Sequence, residues 1–466
     1  MSDQKNPIKS LRKGVKRGLL KALEPYDIKY ITPTDQKLLQ KAKEDAAAEK
    51  KKKAEEAAAT KRDKQLVKQA EENRNSEDEK ELAELKEWLG DTDREHIWSF
   101  NAGNSGQDFR GNPKFLFAYI NNYRADIKAL WICSTPETIE LIRSLGFHGY
   151  LMGTPAAEYA ISRVGVAVCE QVRGLMPFDD TVKYLNLWHG WGYKPVERAR
   201  VEDGDDLKFD LCPKYIKHNS FYQNNQILCV VNSIQENYFY DQMGVTKENM
   251  LRCGYPRCIY QKSCKPIVTF DHDILAAKGL PEGTKIAVYA PTFRNNRGNT
   301  FADALPDLDA LYKHCEEKGV LLIFKMHPLM ETETAFLTAK EKLGDKPYFM
   351  FWDNHNDIYE VMHKIDLLIY DYSSIFSDFL LAGVKSFIRY IFDGDDMAAA
   401  VGMNDDKEYY DNSRGRICRT FEEMLDGIDR FEEDDEEEPL DKFLARQWEY
   451  AQEDDLERMI ELTLGF

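Results

Sequence analysis

Short apolar runs recur through most of this 466-residue chain, and stretches with helical spacing separate them. A first series comprises ALWICS, GYLMG, VGVAVC and VKYLNLW, with helical patterns at Glu137–Leu145 and Ala156–Ser162. A second comprises ILCVVNS, KIAVYAPT, VLLIFKMHP, YFMFW, DLLIYDYSS and KSFIRY. Strands that alternate with helices form parallel sheets through crossover connections. The pattern therefore predicts two doubly wound α/β units, over residues 92–245 and 246–440.

The two ends of the chain differ in composition from this body. Residues 1–91 are charged and nearly free of aromatic side chains, and residues 35–89 consist mostly of strong helix formers. They predict a helical region that acts as a solvated spacer, because its apolar positions are mainly Ala. Residues 441–466 are predicted to form a C-terminal helix that packs back on the first unit.

Residues 7–24 have the pattern of a basic amphipathic helix. Five apolar residues, spaced three or four positions apart, share one helical face; they are Ile8, Leu11, Val15, Leu19 and Leu23. Seven basic residues within positions 1–24 give this end a net charge of +5. Such a helix can lie on an anionic membrane surface, or it can pack on its own protein with a solvated basic face. The sequence leaves both alternatives open.

Composition restricts the class of protein. A hydrophobic fraction of 43% supplies real cores and excludes global disorder. The net charge of −18, concentrated in the last 46 residues, argues against a general nucleic-acid binder. Nine irregularly spaced cysteines and no signal-peptide pattern indicate a reducing, cytoplasmic compartment. No apolar run reaches the ~20 residues that span a bilayer, so we do not expect an integral membrane protein.

Polar residues follow four of the predicted strands, where the carboxyl ends of a doubly wound sheet form its binding crevice. In the segment YLNLWHGWGYK, His189 is followed by Gly190 and Gly192, which allow close backbone approach. A histidine at this place can act as a general base or can be a hydrogen-bonded structural residue. This segment alone does not separate the two.

The other three motifs belong to the second predicted unit. Thr292 and Arg294 follow KIAVYAP, and Lys325 and His327 follow VLLIF. After DLLIY come Asp371, Ser373 and Ser374. Hydroxyl groups beside the start of a helix form a geometry that accepts phosphate. Each motif is weak by itself, whereas four in order at strand ends form a much stronger signal.

The ordered set HG-x-x-x-K, GYPR, APTFR, K-x-HP and DYSS-x-x-x-DF resembles the CDP-glycerol glycerophosphotransferase family, whose members build poly(polyol phosphate) chains such as teichoic acids and related capsules. The resemblance covers about residues 95–430. It implies a GT-B-like fold, with two Rossmann-like domains that face a cleft after an N-terminal helical region. The implied activity transfers a polyol phosphate from a CDP-activated donor to a hydroxyl of a growing, usually lipid-linked polymer, and releases CMP.

The resemblance also assigns roles to residues. His189 and His327 are the expected catalytic residues, His189 as the base and His327 in contact with the pyrophosphate of the donor. The expected donor-binding residues are Arg257, Thr292, Arg294, Lys325, Asp371, Ser373 and Ser374. Gly190, Trp191 and Lys194 are expected to form the acceptor loop. Trp191-Gly192 replaces the Thr-Pro usual in the family, so Trp191 is expected to stack on a sugar or polyol.

No cofactor or structural metal is expected, and Mg²⁺ is considered only as an activator. The acidic cluster at residues 393–396 is interpreted as a helix start or a loop. The expected partners are a CDP-polyol, a lipid-linked or oligomeric acceptor, and an anionic membrane at the inner face of the cell membrane. A GT-B sugar-nucleotide glycosyltransferase or epimerase is the alternative, and a non-enzymatic adaptor is disfavoured. The polyol, the acceptor, the oligomeric state, and primase versus polymerase action stay open.

Overall fold

The computed structural model describes residue 50 and residues 74–103, 106–171, 178, 181–192, 196, 226–243, 245–294, 300–394, 411–433 and 438–466. The predicted amphipathic helix over residues 7–24 lies outside the described residues, as do Lys194 and most of the predicted spacer. Residues 78–466 form one compact unit.

Seven parallel strands form the first sheet. They are β1 Ile97–Phe100, β2 Lys128–Cys133, β3 Gly149–Leu151, β4 Val166–Cys169, β5 Lys183–Asn186, β6 Gln226–Val230 and β7 Met250–Arg252. Their spatial order is β3-β2-β1-β4-β5-β6-β7. The register is fixed at the centre, where Trp98 of β1 pairs with Ala129 of β2 on one side and Val166 of β4 on the other.

Six parallel strands form the second sheet. They are β8 Lys285–Ala290, β9 Val320–Phe324, β10 Phe349–Phe351, β11 Leu367–Tyr370, β12 Ser386–Tyr390 and β13 Arg416–Cys418. Their order is β10-β9-β8-β11-β12-β13. In both sheets the chain runs outward in one direction and then returns to the first strand, so the switch points lie between β1 and β4 and between β8 and β11. The structure confirms the predicted α/β class with two doubly wound sheets.

Helices connect and cover the strands, and they are numbered in order among the described residues. They are α1 (74–89), α2 Gly111–Tyr123, α3 Pro136–Ser144, α4 Pro155–Arg163, α5 Ser233–Met243, α6 Pro256–Ser263, α7 Ile274–Ala277, α8 Thr300–Ala304, α9 Leu308–Lys318, α10 Thr334–Leu343, α11 Ile375–Ala382, α12 Phe421–Asp429, α13 Leu440–Gln447 and α14 Asp455–Gly465. Short 3₁₀ turns occur at Arg94–His96, Lys247–Asn249, Ile358–Glu360 and Met362–Lys364. No described helix is long and apolar enough to cross a membrane.

The central strands are buried along their whole length. Every residue of β1, β4, β6, β9 and β11 is buried, because helices cover both faces of a parallel sheet. One hydrophobic cluster contains residues of both sheets, including Trp131 of β2 and Ile323 of β9. The C-terminal helix α14 contacts the first sheet's helix α2, since Tyr119 donates a hydrogen bond to Glu457 at 3.1 Å. The two sheets are thus packed into one body.

The structure differs from the sequence-based expectations at both borders of the first sheet. The predicted solvated spacer ends in α1, where Leu85 and Leu89 are 0% and 1% exposed and pack in a cluster with Ile97 of β1. These residues lie four positions apart and give the helix an apolar face. Strand β7 begins at Met250, beyond the predicted border at residue 245, and pairs with β6. The first domain therefore includes a helix packed on its sheet and a sheet strand that sequence reasoning gave to other regions.

Candidate active site at the facing sheet edges

Loops that follow the carboxyl ends of the two sheets meet at one place. Gly190, after β5 of the first sheet, approaches the second sheet so closely that an added Cβ would lie 3.3 Å from Ser374 Oγ. Ser374 is the N-cap residue of α11, directly after β11. Ligands of doubly wound folds bind at this edge. The structure therefore brings the first and last sequence motifs together.

Backbone strain occurs in the loop immediately before His189. Trp188 has a φ of 51° and is the one non-glycine residue with positive φ in the described chain. Asn186 Oδ1 accepts a hydrogen bond from Trp188 N at 3.0 Å, and Asn112 Nδ2 donates to Trp188 O at 2.9 Å. Strained backbone persists only where its surroundings over-determine it. The fold thus holds the His189 loop in one particular conformation.

His189 itself is exposed, and its ring contacts Trp188 with a centroid separation of 4.3 Å. Its Nδ1 lies 3.3 Å from the backbone carbonyl oxygen of Glu170. Because a carbonyl oxygen only accepts, we assign the proton of the neutral ring to Nδ1. The lone pair then belongs to Nε2, which makes Nε2 the basic atom. This tautomer is the one that a general base requires.

Sequence reasoning missed Glu170, a buried carboxyl group that follows β4. Its Oε1 accepts a hydrogen bond from Asn112 N at 2.7 Å, at the start of α2. An added Cβ on Gly111 would overlap this oxygen, and Gly111 has a φ of 65°. Burial raises the pKa of Glu170 to about 7, although the nearby charge of Arg257 opposes the shift. The signal was available, because Glu170 is the first polar residue after the apolar run VGVAVC.

Asp371 organises the loops of the second sheet. Thr292 N and Thr292 Oγ1 donate hydrogen bonds to Asp371 Oδ1 at 2.9 and 2.7 Å. Arg294 is 3% exposed; its Nη1 donates to Asp371, and its Nε donates to Asp393 Oδ2 at 3.1 Å. The guanidinium thus ties together the loops after β8, β11 and β12. Because Arg294 is buried against two carboxylates, the structure does not support the expected direct contact of Arg294 with the donor pyrophosphate.

Ser373 and Ser374 lie at the start of α11. Ile375 N donates to Ser373 Oγ at 3.4 Å, and Ser374 makes no side-chain capping hydrogen bond. The first N–H groups of a helix lack intrahelical partners, and the helix dipole favours an anion at this end. Both serines are partly exposed. This helix start therefore has the composition and the geometry of a phosphate site.

Lys325 follows β9, and its side chain is hydrogen-bonded within its own domain. Its Nζ donates a hydrogen bond to Asn354 Oδ1 at 3.0 Å. Burial and the positive charge of Arg110 lower the pKa of Lys325. Since Arg110 immediately precedes α2 of the first domain, cationic groups from both domains lie near this edge.

His327 has the opposite hydrogen-bonding pattern to His189. It is exposed, its ring stacks on Phe293 with a centroid separation of 5.2 Å, and its Nδ1 accepts from Leu329 N at 3.2 Å. A ring nitrogen that accepts carries no proton, so the proton of the neutral ring is on Nε2. His327 is therefore suited to donate a hydrogen bond, for example to a phosphate oxygen, rather than to remove a proton.

Arg257 is not placed to contact a ligand directly. It is 4% exposed, and its Nη2 donates to the carbonyl oxygen of His189 at 2.9 Å and to Asp378 Oδ2 at 2.7 Å. The expected donor contact is therefore not supported by the structure. Asp378, which sequence reasoning included in a motif without a role, proves to be the partner of Arg257.

The expected stacking of Trp191 on a polyol is also not supported. Trp191 is 1% exposed and belongs to the hydrophobic core, so its ring faces are covered by protein. Gly192, with a φ of 80°, turns the chain where an added Cβ would contact Phe239. The carbonyl oxygen of Gly190 accepts from Tyr255 Oη at 2.8 Å. The segment after His189 thus anchors the loop, while Lys194 lies outside the described residues.

A buried group of charges joins the two domains beside this edge. Lys114 of α2 is fully buried; its Nζ donates to Asp357 Oδ2 at 3.2 Å and also to Glu360. The backbone N–H of Gly111 donates to the same Asp357 oxygen at 3.2 Å. Glu360 also contacts His272 Nε2 at 2.6 Å. We call these four side chains, Lys114, His272, Asp357 and Glu360, the interdomain charge cluster.

Within the described residues, no three His, Cys, Asp or Glu side chains are arranged to hold a metal ion. Asp393 of the predicted acidic loop is bound by Arg294, whereas Asp395 and Asp396 lie outside the described residues. Activation by Mg²⁺ stays a prediction.

Comparison with known proteins identifies the fold and the family. The structure superimposes on the wall teichoic acid polymerase TagF with a TM-score of 0.60 and 18% identity, covering 85% of this chain and 96% of that one. The fold is thus GT-B-like. A sequence model of the family described as CDP-Glycerol:Poly(glycerophosphate) glycerophosphotransferase matches residues 83–464. The chain belongs to this family.

Among individual relatives, the teichoic acid ribitol-phosphate polymerase TarK of Staphylococcus aureus is 25% identical, over 61% of this chain and 52% of its own length. A teichoic acid poly(glycerol phosphate) polymerase of Bacillus spizizenii is 24% identical, over 78% of this chain and 90% of its own. The chain spans about half the length of the staphylococcal ribitol-phosphate polymerases that it matches.

Proposed function

We propose that this protein transfers glycerol phosphate or ribitol phosphate from a CDP-activated donor to a hydroxyl group of a growing, lipid-linked polymer, and releases CMP. Family membership supports the CDP-glycerol-type donor. Relatives named as ribitol-phosphate and glycerol-phosphate polymerases support a polyol phosphate as the transferred group.

One observation carries the proposal. The His189–Gly190 loop of the first domain lies against the Ser374 end of α11 in the second. Attack of a hydroxyl on a phosphate needs little covalent chemistry from the protein, and mainly requires positioning and charge stabilisation. A base on one face and a phosphate site on the other, in contact across the cleft, satisfy that requirement.

In the proposed reaction, the acceptor hydroxyl oxygen attacks the phosphorus that bears the polyol. His189 Nε2 takes the hydroxyl proton as a new P–O bond forms. The bond between that phosphorus and the bridging oxygen of the pyrophosphate breaks, and CMP leaves with the electron pair. His327 Nε2–H and the serine-led start of α11 stabilise the phosphate oxygens.

The acceptor and the location follow from the same proposal. A lipid-linked acceptor has to be reached at a membrane, and the basic pattern of residues 7–24 suits an anionic surface. We therefore place the protein peripherally at the cytoplasmic face of the membrane, working on a teichoic-acid-like or capsular polymer. This part rests on the sequence pattern alone.

The direct test is release of CMP by the purified full-length chain, incubated with CDP-glycerol or CDP-ribitol and an oligomeric polyol-phosphate acceptor. We expect turnover with one of the two donors and none with a UDP-sugar. His189→Ala should lower turnover by roughly 10²–10⁴-fold, the contribution of a general base, and should leave binding of the CDP donor nearly unchanged.

His96→Ala is the matched control, because His96 precedes β1 and lies at the opposite, amino edge of the first sheet. Its turnover should equal that of the wild type. Turnover with a UDP-sugar instead would favour the glycosyltransferase or epimerase alternative. Full activity of His189→Ala would remove this histidine from the mechanism.

A further inference from the structure

Arg257 occupies a buried position between the two halves of the cleft. It follows Pro256 at the start of α6, and its guanidinium Cζ lies 4.4 Å from the ring centroid of Tyr359 and 5.3 Å from that of Tyr255. Arg257 Nε has no hydrogen-bond partner among the described residues. The two hydrogen bonds that its Nη2 donates, to His189 O and to Asp378 Oδ2, therefore hold this buried charge in place.

The first of these contacts reaches the candidate base. Arg257 Nη2 donates to the carbonyl oxygen of His189 at 2.9 Å. Tyr255, two residues earlier, donates from Oη to the carbonyl oxygen of Gly190 at 2.8 Å. Two side chains at the start of α6 thus donate hydrogen bonds to two consecutive carbonyl groups of the loop that carries His189.

The second contact reaches the candidate phosphate site. Asp378 is buried in the first turn of α11, the helix that begins after Ser373 and Ser374. Its Oδ2 accepts from Arg257 Nη2 at 2.7 Å and from Tyr359 Oη at 2.8 Å. The charge-assisted bond therefore attaches the helix of the second domain to the His189 loop of the first, through a single guanidinium.

We propose that Arg257 and Asp378 are a positioning pair that fixes the separation between His189 and the serine-led end of α11, and that Arg257 does not bind the donor. The proposal rests on the proposed function for its catalytic consequence. A rigid link suits this task, because a misplacement of 1 Å in an active site can cost about 10²-fold in rate. Arginine suits it better than lysine, since its planar fork bonds two oxygens at fixed angles.

The test compares Arg257→Lys, Asp378→Asn and the double variant with the wild type. We expect the Kd of the CDP donor, measured by calorimetry, to change less than twofold. The kcat for CMP release should fall about 10²-fold in each single variant. The double variant should lose no more than either single one, because residues that act as a unit are not additive.

Arg124→Lys is the matched control, because Arg124 also forms charge-assisted hydrogen bonds to a carboxylate, to Asp126 at 2.8 and 2.7 Å, but just after the C-terminal end of α2. We expect its kcat to equal that of the wild type. A tenfold or larger rise of the donor Kd in Arg257→Lys at unchanged kcat would overturn the proposal, since it would make Arg257 a donor contact.

A second readout does not depend on activity. Hydrogen exchange of the amides over residues 187–192 should accelerate at least tenfold in Arg257→Lys and Asp378→Asn, because the loop loses its tether. If the wild type releases no CMP from either donor, the proposed function fails, and the positioning pair is then tested by hydrogen exchange alone. Unchanged exchange rates in both variants would overturn the proposal that Arg257 and Asp378 hold the His189 loop.

Discussion

The interdomain charge cluster gives the sharpest stability prediction. Lys114 has no exposed surface, and it joins α2 of the first domain to Asp357 and Glu360 of the second. Replacing it with Met keeps an unbranched apolar stem of similar size, so the change removes the charge with little loss of packing. Two buried carboxylates then lose their cation.

The expected loss of stability depends on the contacts that the two carboxylates keep after Lys114 is replaced. Removing one partner of a buried ion pair typically costs about 3–5 kcal/mol, since the other charge stays in a medium of low polarity. Glu360 keeps hydrogen bonds from Thr269 N at 3.0 Å and its contact with His272 at 2.6 Å. Asp357 keeps the bond from Gly111 N. We therefore expect Lys114→Met to lower the free energy of unfolding by about 3 kcal/mol, the lower end of that range.

The assay is urea unfolding of the full chain, followed by both far-UV circular dichroism and tryptophan fluorescence, so that coincident transitions can be verified. Lys313→Met is the control. Lys313 is 75% exposed and pairs with Glu317 at 3.6 Å on the surface of α9, and such a pair contributes about 0.3–0.5 kcal/mol. An equal loss in the two variants would refute the claim that the cluster joins the domains energetically.

The remaining predictions concern protonation, the donor and the membrane. Because the pKa of Glu170 is raised from 4.5 to about 7, the folded chain holds a proton that the unfolded chain releases, and this stabilisation is lost as the pH rises through 7. Glu170→Gln should therefore gain up to about 3 kcal/mol relative to the wild type between pH 5 and pH 8, and a pH-independent difference in urea midpoints would contradict this. His327→Ala should weaken CDP-donor binding about tenfold by calorimetry, as expected for one charge-assisted hydrogen bond. Arg294→Ala should chiefly lower the thermal midpoint, because Asp371 and Asp393 lose their cation. Deleting residues 1–25 should abolish co-sedimentation with anionic liposomes, which should also weaken with salt, and equal sedimentation of both chains would exclude the anchor.

The alternation of apolar runs and helical stretches was sufficient to predict the α/β class and ten of the thirteen strands that the structure describes. The three strands that were not predicted are short or have an atypical composition. β1, with the sequence IWSF, lies inside the first sheet between β2 and β4 although it contains one aliphatic residue, and β7 and β13 have three residues each. A central strand is defined by its neighbours in space, which a local pattern does not contain.

Sequence reasoning predicted the position of the candidate site residues in the fold better than it predicted their roles. Position after a strand correctly selected residues at the two sheet edges, because parallel strands bring their carboxyl ends together. Position after a strand did not reveal which of these side chains are buried in the protein instead of facing the cleft. Arg257 and Trp191 lie in motifs at the correct edge, yet they are 4% and 1% exposed. Burial of a loop residue depends on what packs above it, and in this protein the covering groups come from distant parts of the chain.

The two domains share a topology but differ in what occupies their anion-binding edges, and this difference accounts for the proposed placement of the nucleotide. In dinucleotide-binding folds a glycine-rich turn after the first strand, with the helix that follows, holds a pyrophosphate. Here the turn after β1 leads to α2, whose first N–H groups already donate to carboxylates, Gly111 N to Asp357 and Asn112 N to Glu170. These two N–H groups are already satisfied by side chains of the protein itself, which disfavours the binding of a phosphate at this helix start. At α11 the helix start carries Ser373 and Ser374 instead, and the carboxylate of Asp371, in the loop before this helix, is paired with Arg294. Of the two helix starts compared, that of α11 is therefore the better place for the donor phosphates of the proposed reaction, and the His189–Gly190 loop lies against it from the other domain.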